Sequence, residues 1–590
     1  MKLKLFLLFI IYNLSFYIVA TATIRYVSKT ATSTPPYTSW ATASDSIQKC
    51  INICQNGDTV YVANGIYKET IIVNREIALI GSSMDSTVIN AIGLASNKVI
   101  EFRTHATIKY LNVIGRNKNE ANTYCLFNLV SNVNVEYCRL SNAFNTCALS
   151  GSSIVKNALI YNANTAFRSE CPADTCHPEL SNSVIYSTGN FSTIYLSFGG
   201  NPLITNNIII DGEGVGIDSD YNKNLLISNN IVAGFKRQNI DVGSLRDSAI
   251  LLNNNALYLK GEGTSIAINQ GQKTKLRNNI IAYSDKGVGA GGTSLNSNYN
   301  LFWVNSINVA NIATLGDSDI IADPMFVKDT VPNHAMNFDY HLQKYSPAID
   351  KGDPNILDKD GTRSDNGVYG GPFGEIYTYQ DLAPRPPRNL SALLDTFSIR
   401  VKWNKNTEAD TSYYKVYRDT VINFAIDSTK LVSSQADTNY NQSIPHKIRK
   451  YVYKVTCVDN QGNESKPSEE IVVNITSIND YPMTINDYFL YQNYPNPFNP
   501  STTIGYKLKE RGYVKLMVYD IKGEMLSVLV NQEQEAGYYE VEFATSVGSL
   551  QSTVSNKNNI ASGIYLYRIE VIGERNIPVY MEMKKMLLVK

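Results

Sequence analysis

The chain has no excess of either charge: its 590 residues carry 53 Lys plus Arg and 53 Asp plus Glu. That balance supplies none of the basic field that nucleic acid or an anionic membrane requires, so neither is an expected partner. An acidic polymer would have to be met by a local cluster. Beyond residue 22 no stretch is apolar for long enough to cross a bilayer, so no transmembrane segment is expected once the leader is removed. No Arg-Gly-Asp sequence is present to suggest integrin-type adhesion.

What the chain does have is a repeated phrase. Asn157-Ala-Leu-Ile is followed by Asn182-Ser-Val-Ile, Asn206-Asn-Ile-Ile, Asn229-Asn-Ile-Val, Asn254-Asn-Ala-Leu and Asn278-Asn-Ile-Ile, in steps of 23–25 residues. A looser copy is Asn298-Tyr-Asn-Leu-Phe302. A fixed period in this range means stacked supersecondary units. Each unit holds a short aliphatic run, with turn residues such as Gly234, Gly261, Gly263 and Gly287 between runs. That pattern predicts the coils of a parallel β-solenoid, whose strands pair with the coils on either side. The asparagines themselves read as structural, because Asn tolerates left-handed turns and its amide can donate and accept along a stack.

Before the array, residues 1–22 read as a secretory signal: Lys2 and Lys4, the apolar Leu5 to Ile11, and a small-residue site at Ala20-Thr21-Ala22. Export permits disulfides, and eight cysteines follow. Cys171 and Cys176 bracket a short loop and are the better pair; Cys50 and Cys54 sit one helical turn apart. Cys171, Cys176 and His177 lack a normal zinc spacing. Ser44 to Ile53 predicts an amphipathic helix with Ser44 as N-cap, laid over the open edge of the first coil. The series Ile47-Gln, Gly57-Asp-Thr-Val, Gly65-Ile-Tyr-Lys-Glu69 and Leu79-Ile-Gly81 resembles the opening coils of the pectate-lyase-like right-handed β-helix superfamily. The resemblance runs from about residue 24 to 375 and implies the fold, not an activity. Near its end, Asp358-Lys-Asp-Gly-Thr-Arg363 is either a calcium loop of hard oxygen ligands or turn chemistry pairing with Arg363.

Two smaller domains are expected after the stiff linker Pro384-Arg-Pro-Pro387. Ile399-Arg-Val-Lys-Trp403, Tyr413-Tyr-Lys-Val-Tyr417 and Tyr451-Val-Tyr-Lys-Val-Thr-Cys457 alternate as sandwich strands and resemble a fibronectin type III domain. Trp403 stands at that family's core tryptophan position and Tyr451 at its tyrosine corner. Leu490-Tyr-Gln-Asn-Tyr-Pro-Asn-Pro-Phe-Asn-Pro, Val514-Lys-Leu-Met-Val-Tyr-Asp-Ile-Lys-Gly523 and Ala561-Ser-Gly-Ile-Tyr565 resemble the type A C-terminal sorting domain of the type IX secretion system. Ser546 to Asn559 is an insertion relative to that pattern. The resemblance implies the type IX secretion machinery as partner, and release or attachment at the outer-membrane cell surface. The expected organisation is a signal peptide at 1–22, a right-handed parallel β-helix at 23–380, a fibronectin type III domain at 384–476 and a sorting domain at 487–590. The fold class is all-β, a β-helix followed by two small β-sandwich domains.

About 11 residues after each repeated asparagine comes a second strand: Phe167-Arg168, Ile194-Tyr195, Ile217-Asp218, Ile240-Asp241 and Ile268-Asn269. Alternation sends the apolar member inward, so Arg168, Tyr195, Asp218 and Asp241 should form an outward column with neighbours ~4.8 Å apart. Two carboxylates at that spacing repel unless a cation or shared proton intervenes. The column permits a polysaccharide lyase: calcium, the candidate cofactor, on Asp218 and Asp241, with Arg168 or Lys236 as base and Tyr195, Tyr221 and Arg237 contacting the chain. Paired-acid hydrolysis is the alternative chemistry. Against both, Trp-Ile-Asp-His, Asn-Thr-Asp, Gly-His-Gly and Arg-Ile-Lys are all absent, so no catalytic residue of the superfamily carries over. A non-catalytic display rod, its acids paired with Arg168, Lys236 or Arg237, is the competing reading.

Overall fold

The computed structural model describes residues 22–589 apart from 130–131, 172–174, 188, 245–249, 254, 259–262, 270–272, 292–294, 312, 331–335, 395–397, 444–449, 476–486, 545–559 and 574–576. The expected leader, apart from Ala22, and the Ser546–Asn559 insertion lie outside the described residues. The chain separates into two compact units, Met1–Ile444 with Tyr451–Val473, and Pro445–Lys450 with Asn474–Lys590.

In the first unit the repeat winds into a right-handed parallel β-helix, with three sheets of 12, 12 and 11 strands among the described residues. One coil contributes Leu203–Thr205 to the first sheet, Ile208–Ile210 to the second and Val215–Asp220 to the third. The apolar member of each run faces inward, stacking Ile204 on Ile227, Ile209 on Val232 and Ile217 on Ile240, all without solvent exposure. These aliphatic columns are the core, and burying each such side chain contributes about 1.5–3 kcal/mol.

The two properties expected of one asparagine are divided between two. The repeated asparagine, doubled from Asn206 onward, makes the corner: Asn157, Asn182, Asn206, Asn229 and Asn278 all have φ between 51° and 56°. Asn254 lies outside the described residues. The second asparagine turns inward and forms the ladder. The main-chain N–H of Asn207 donates to Asn230 Oδ1, that of Asn230 to Asn255 Oδ1, that of Asn255 to Asn279 Oδ1 and that of Asn279 to Asn300 Oδ1, each at 3.0 Å. Each side-chain amide donates to the same oxygen, at 2.9–3.1 Å. All five ladder residues are buried.

The N-terminal edge carries the α-helix Ile47–Asn52, which buries Ile47, Cys50 and Ile51. Its cap is Ser46 rather than Ser44: Ser46 Oγ accepts from Lys49 N, whereas the Ser44 hydroxyl is spent on Ser46 O. Glu69 completes the first turn by accepting from Ile47 N at 2.9 Å and Gln48 N at 3.0 Å, which suits a carboxylate to the positive end of the helix. At the other edge the chain folds back over the asparagine corner. Asn229 Nδ2 donates to Val368 O and Gly370 O, and Asn278 Oδ1 accepts from Asp353 N. Asp358–Arg363 is a turn: Asp358 accepts from the amides of Asp365 and Gly371, and Asp360 from Thr362. Arg363 pairs with neither acid and donates to Gly352 O at 2.6 Å.

The first sandwich has antiparallel sheets of three and four strands, with Trp403, Tyr451, Tyr453 and Cys457 buried. The second unit also holds a three- and a four-stranded antiparallel sheet, and Val514, Leu516 and Val518 alternate inward. All eight cysteines are free thiols, Cys171 and Cys176 included, so the expected loop disulfide is not formed in this structure.

Candidate functional site

The third sheet brings the expected column together. Arg168 pairs with Tyr195, Tyr195 with Asp218, and Asp218 with Asp241, on consecutive parallel strands. Phe167, Ile194, Ile217 and Ile240 are fully buried behind them, and this fixes the four side chains outward. The column then ends. Asp241 is followed by Ala267, not by Asn269, because Ile266 is the true partner of Ile240. Ile266 and Ile268 both face inward. With a strand period of two, aligning on Ile268-Asn269 is a slip of one full period. Ala148 precedes Arg168, and Gly289 and Ala310 follow Ala267. The charged and aromatic stretch is therefore four coils long and bounded by small side chains on both sides.

Within it the cations are engaged. Arg168 donates through Nε to Glu170 Oε1 at 2.9 Å and stacks 5.0 Å from the Tyr195 ring centre. Lys236 lies 2.5 Å from Glu213. Arg237 is exposed at the turn before Asp241 and lies close enough to act electrostatically on both column acids. That turn is tight: a Cβ at Gly263 would stand 2.0 Å from Arg237 O, so no side chain fits there.

The acids are different. Burial pushes the Asp218 carboxyl above its usual range; the Ser192 hydroxyl, donating at 2.5 Å, opposes this, while Asp220 adds to it and Arg237 opposes it. Burial also raises Asp241, and the adjacent Asp218 raises it further against Arg237. These two desolvated carboxylates, in register on adjacent strands, are the column residues that could hold a hard cation. Ser192 was not legible in the sequence, because the third-sheet strands break strict alternation: Ser192 and Tyr195, three residues apart, are both partly exposed, with Thr193 and Ile194 buried between them.

Tyr221 falls at the rim of the column. It has φ 55°, is 48% exposed, and follows Asp220, which pairs with Ser197. On the preceding coil the equivalent position is Phe198, with φ 68° and 52% exposure. A bulky residue in the left-handed region is costly, by about 1–2 kcal/mol. Two on consecutive coils expose a pair of aromatic side chains just past the ends of the strands that carry Tyr195 and Asp218. The signal for Phe198 was its position one residue beyond the strand, matching Tyr221. Cys171, Cys176 and His177 do not converge as ligands among the described residues.

Residues 171–302, which contain most of this column, match the family model of the right-handed β-helix region. An amylopullulanase from Thermoanaerobacter thermohydrosulfuricus is 34% identical over 89 residues, covering 15% of this chain; the chain spans only 6% of that relative's length. Among solved structures, an Fn3-like protein from Clostridium thermocellum is 29% identical, over 15% of this chain and 91% of that one, with a TM-score of 0.14. A structure of XylC in complex with xylose is 10% identical over 77% of this chain and 100% of that chain, with a TM-score of 0.32.

Proposed function

We propose that this is an exported surface or secreted protein whose β-helix binds an acidic polysaccharide along the Arg168–Asp241 column. The observation that carries the reading is the in-register, desolvated pair Asp218 and Asp241, set beside the Tyr195 ring and bounded by small residues. Calcium held by these two carboxylates would supply positive charge for a uronate carboxylate. Tyr195, Tyr221 and Phe198 offer faces for sugar rings, and Arg237 is a cation at the rim. The leader at 1–22 and the sorting-domain resemblance at 487–590 support export through the type IX secretion machinery to the cell surface.

Cleavage by β-elimination is the second reading, favoured by two raised carboxyls in register on the same sheet as Arg168. Arg168 and Lys236 are held by Glu170 and Glu213, so proton abstraction by either would require its ion pair to open. Binding therefore has the stronger support. The test is a panel of pectate, alginate and glycosaminoglycans, with and without chelator, scored for retention and for new absorbance near 235 nm. Calcium-dependent retention lost in Asp218→Ala supports binding, and absorbance gain supports elimination. Unchanged retention in that variant returns the rod to a display role.

A further inference from the structure

Past the last coil, the strand Asp339–Leu342 sets a histidine between two acids. His341 Nδ1 lies 2.6 Å from Asp339 Oδ1, and its Nε2 lies 2.6 Å from Glu375 Oε1. The ring lies flat on Tyr369, with centres 3.7 Å apart and planes 3° apart, and Tyr377 stands across it at 64° and 4.5 Å. A neutral imidazole has one N–H and one bare lone pair, so it can donate to only one carboxylate. With a carboxylate at each nitrogen, the arrangement is complete only for the doubly protonated ring. The remaining neighbours do not replace that proton. Burial holds the Tyr369 and Tyr377 hydroxyls well above their ordinary range, so both stay neutral. Lys328, across the strand pair from Asp339, donates to Asn337 Oδ1.

Asp339 shares a strand with His341, whereas Glu375, Tyr369 and Tyr377 belong to the segment that returns over the second sheet. Leu342 N donates to the Tyr377 hydroxyl at 3.2 Å and Lys344 N to Gln380 O at 2.9 Å, so strand and segment meet along this line. What the segment covers is apolar. Ile231, Ile280 and Leu301 each begin a strand of the second sheet whose next residue, Val232, Ile281 or Phe302, fills the core of the β-helix. The three therefore point outward, yet they are buried in one cluster with Tyr340, Leu342 and Val368. Asp365 lies under the same segment, accepting from the Tyr379 hydroxyl and Asp350 N, and burial raises its carboxyl to about 6. Its ionisation also works against closure.

We propose that His341 is a proton-operated clasp, whose imidazolium ties the returning segment to the Asp339–Leu342 strand and whose deprotonation lets that segment lift from the apolar face of the second sheet. Without the proton, one carboxylate faces a lone pair. Glu375 is the one that swings to water, because its side chain is 55% exposed against 34% for Asp339. The stability that the clasp contributes belongs to the protonated ring, so closure is complete at acid pH. It is lost as pH rises through the imidazole range, about pH 5 to 8. The clasp stands over the second sheet, apart from the Arg168–Asp241 column on the third.

The test uses the full chain with Asp365→Asn already in place, so that this acid of the cover no longer titrates. Hydrogen exchange of amides 366–380, divided by the free-peptide rate at each pH, should speed up about tenfold between pH 5.5 and pH 8. Adding His341→Arg puts a permanent cation with several donors on a flat group that can stack on Tyr369, so exchange should stay slow and change by less than about twofold. Adding Glu375→Gln, an exposed change, lets the neutral ring donate to Asp339 and accept from the new amide, and should likewise hold the segment closed at both pH values. The chain has five histidines, so ring-nitrogen spectra of histidine-labelled protein should show His341 protonated on both nitrogens at pH 5.5 and on one at pH 8. Exchange that is independent of pH in the Asp365→Asn chain would overturn the proposal. So would a pH dependence left undiminished by either added substitution.

Discussion

At the scale of the residue, Asp218 separates stability from function. Its carboxyl is raised by burial despite the Ser192 hydrogen bond. The folded state therefore holds its proton more tightly than the unfolded chain does. The penalty for ionising it is absent at low pH and grows as pH rises through the folded-state pKa, above the ordinary 3.8. Asp218→Asn removes that penalty, so the metal-free variant should be more stable than the parent at pH 7. It should be no more stable near pH 3. The same variant should lose calcium-dependent polysaccharide retention. Ser192→Ala acts in the opposite sense: with its donor gone, Asp218 titrates higher, and the pH at which retention is half lost should move upward. Denaturant titration at several pH values and a retention profile check both.

At the scale of the element, the doubled asparagine predicts two unequal mutational outcomes. Asn255→Ala strips the Asn230 amides, main-chain and side-chain, of their shared acceptor inside a fully buried ladder. Each orphaned group costs about 1–3 kcal/mol, so a loss of about 3 kcal/mol in the β-helix transition is expected. Asn206 is an exposed corner whose main-chain N–H donates to Ser228 O in any case. Glycine adopts its positive φ freely, so Asn206→Gly should change stability by less than about 0.5 kcal/mol. Asn229→Ala should fall between them, because it releases Val368 O and Gly370 O of the returning segment. The repeat announced that asparagine mattered at this corner. Which of the two neighbours bends the chain and which bonds along the stack depends on inward and outward facing, and period alone does not encode that across a two-residue turn.

At the scale of the whole molecule, the architecture was legible because each part repeats or alternates locally. The column was legible because an inward isoleucine fixes its outward neighbour, and it slipped at Ile268 where two isoleucines share a face. The contacts that join distant segments left no such trace. Asp323, Asp329 and Arg385 meet across 62 residues of sequence, and Asp365 meets Asp350 N and the Tyr379 hydroxyl beneath the returning segment. Burial raises both Asp323 and Asp365 to about 6, against 3.8 for the free side chain. In each case the folded state binds more protons than the unfolded chain between pH 4 and 6. Their contribution to stability is therefore full below pH 4 and is lost as pH rises through 6, by roughly 1–3 kcal/mol for each group. Asp365→Asn keeps an oxygen for the Tyr379 hydroxyl and removes the titration, so its stability should decline less than the parent's between pH 4 and 7. Asp323→Asn should flatten the same interval, because the neutral amide escapes the cost of ionising a buried acid that is raised even beside Arg385. Denaturant unfolding of the three proteins at pH 4, 5, 6 and 7 reads the slopes directly. Equal slopes in parent and variants would mean that neither acid is held protonated by the fold.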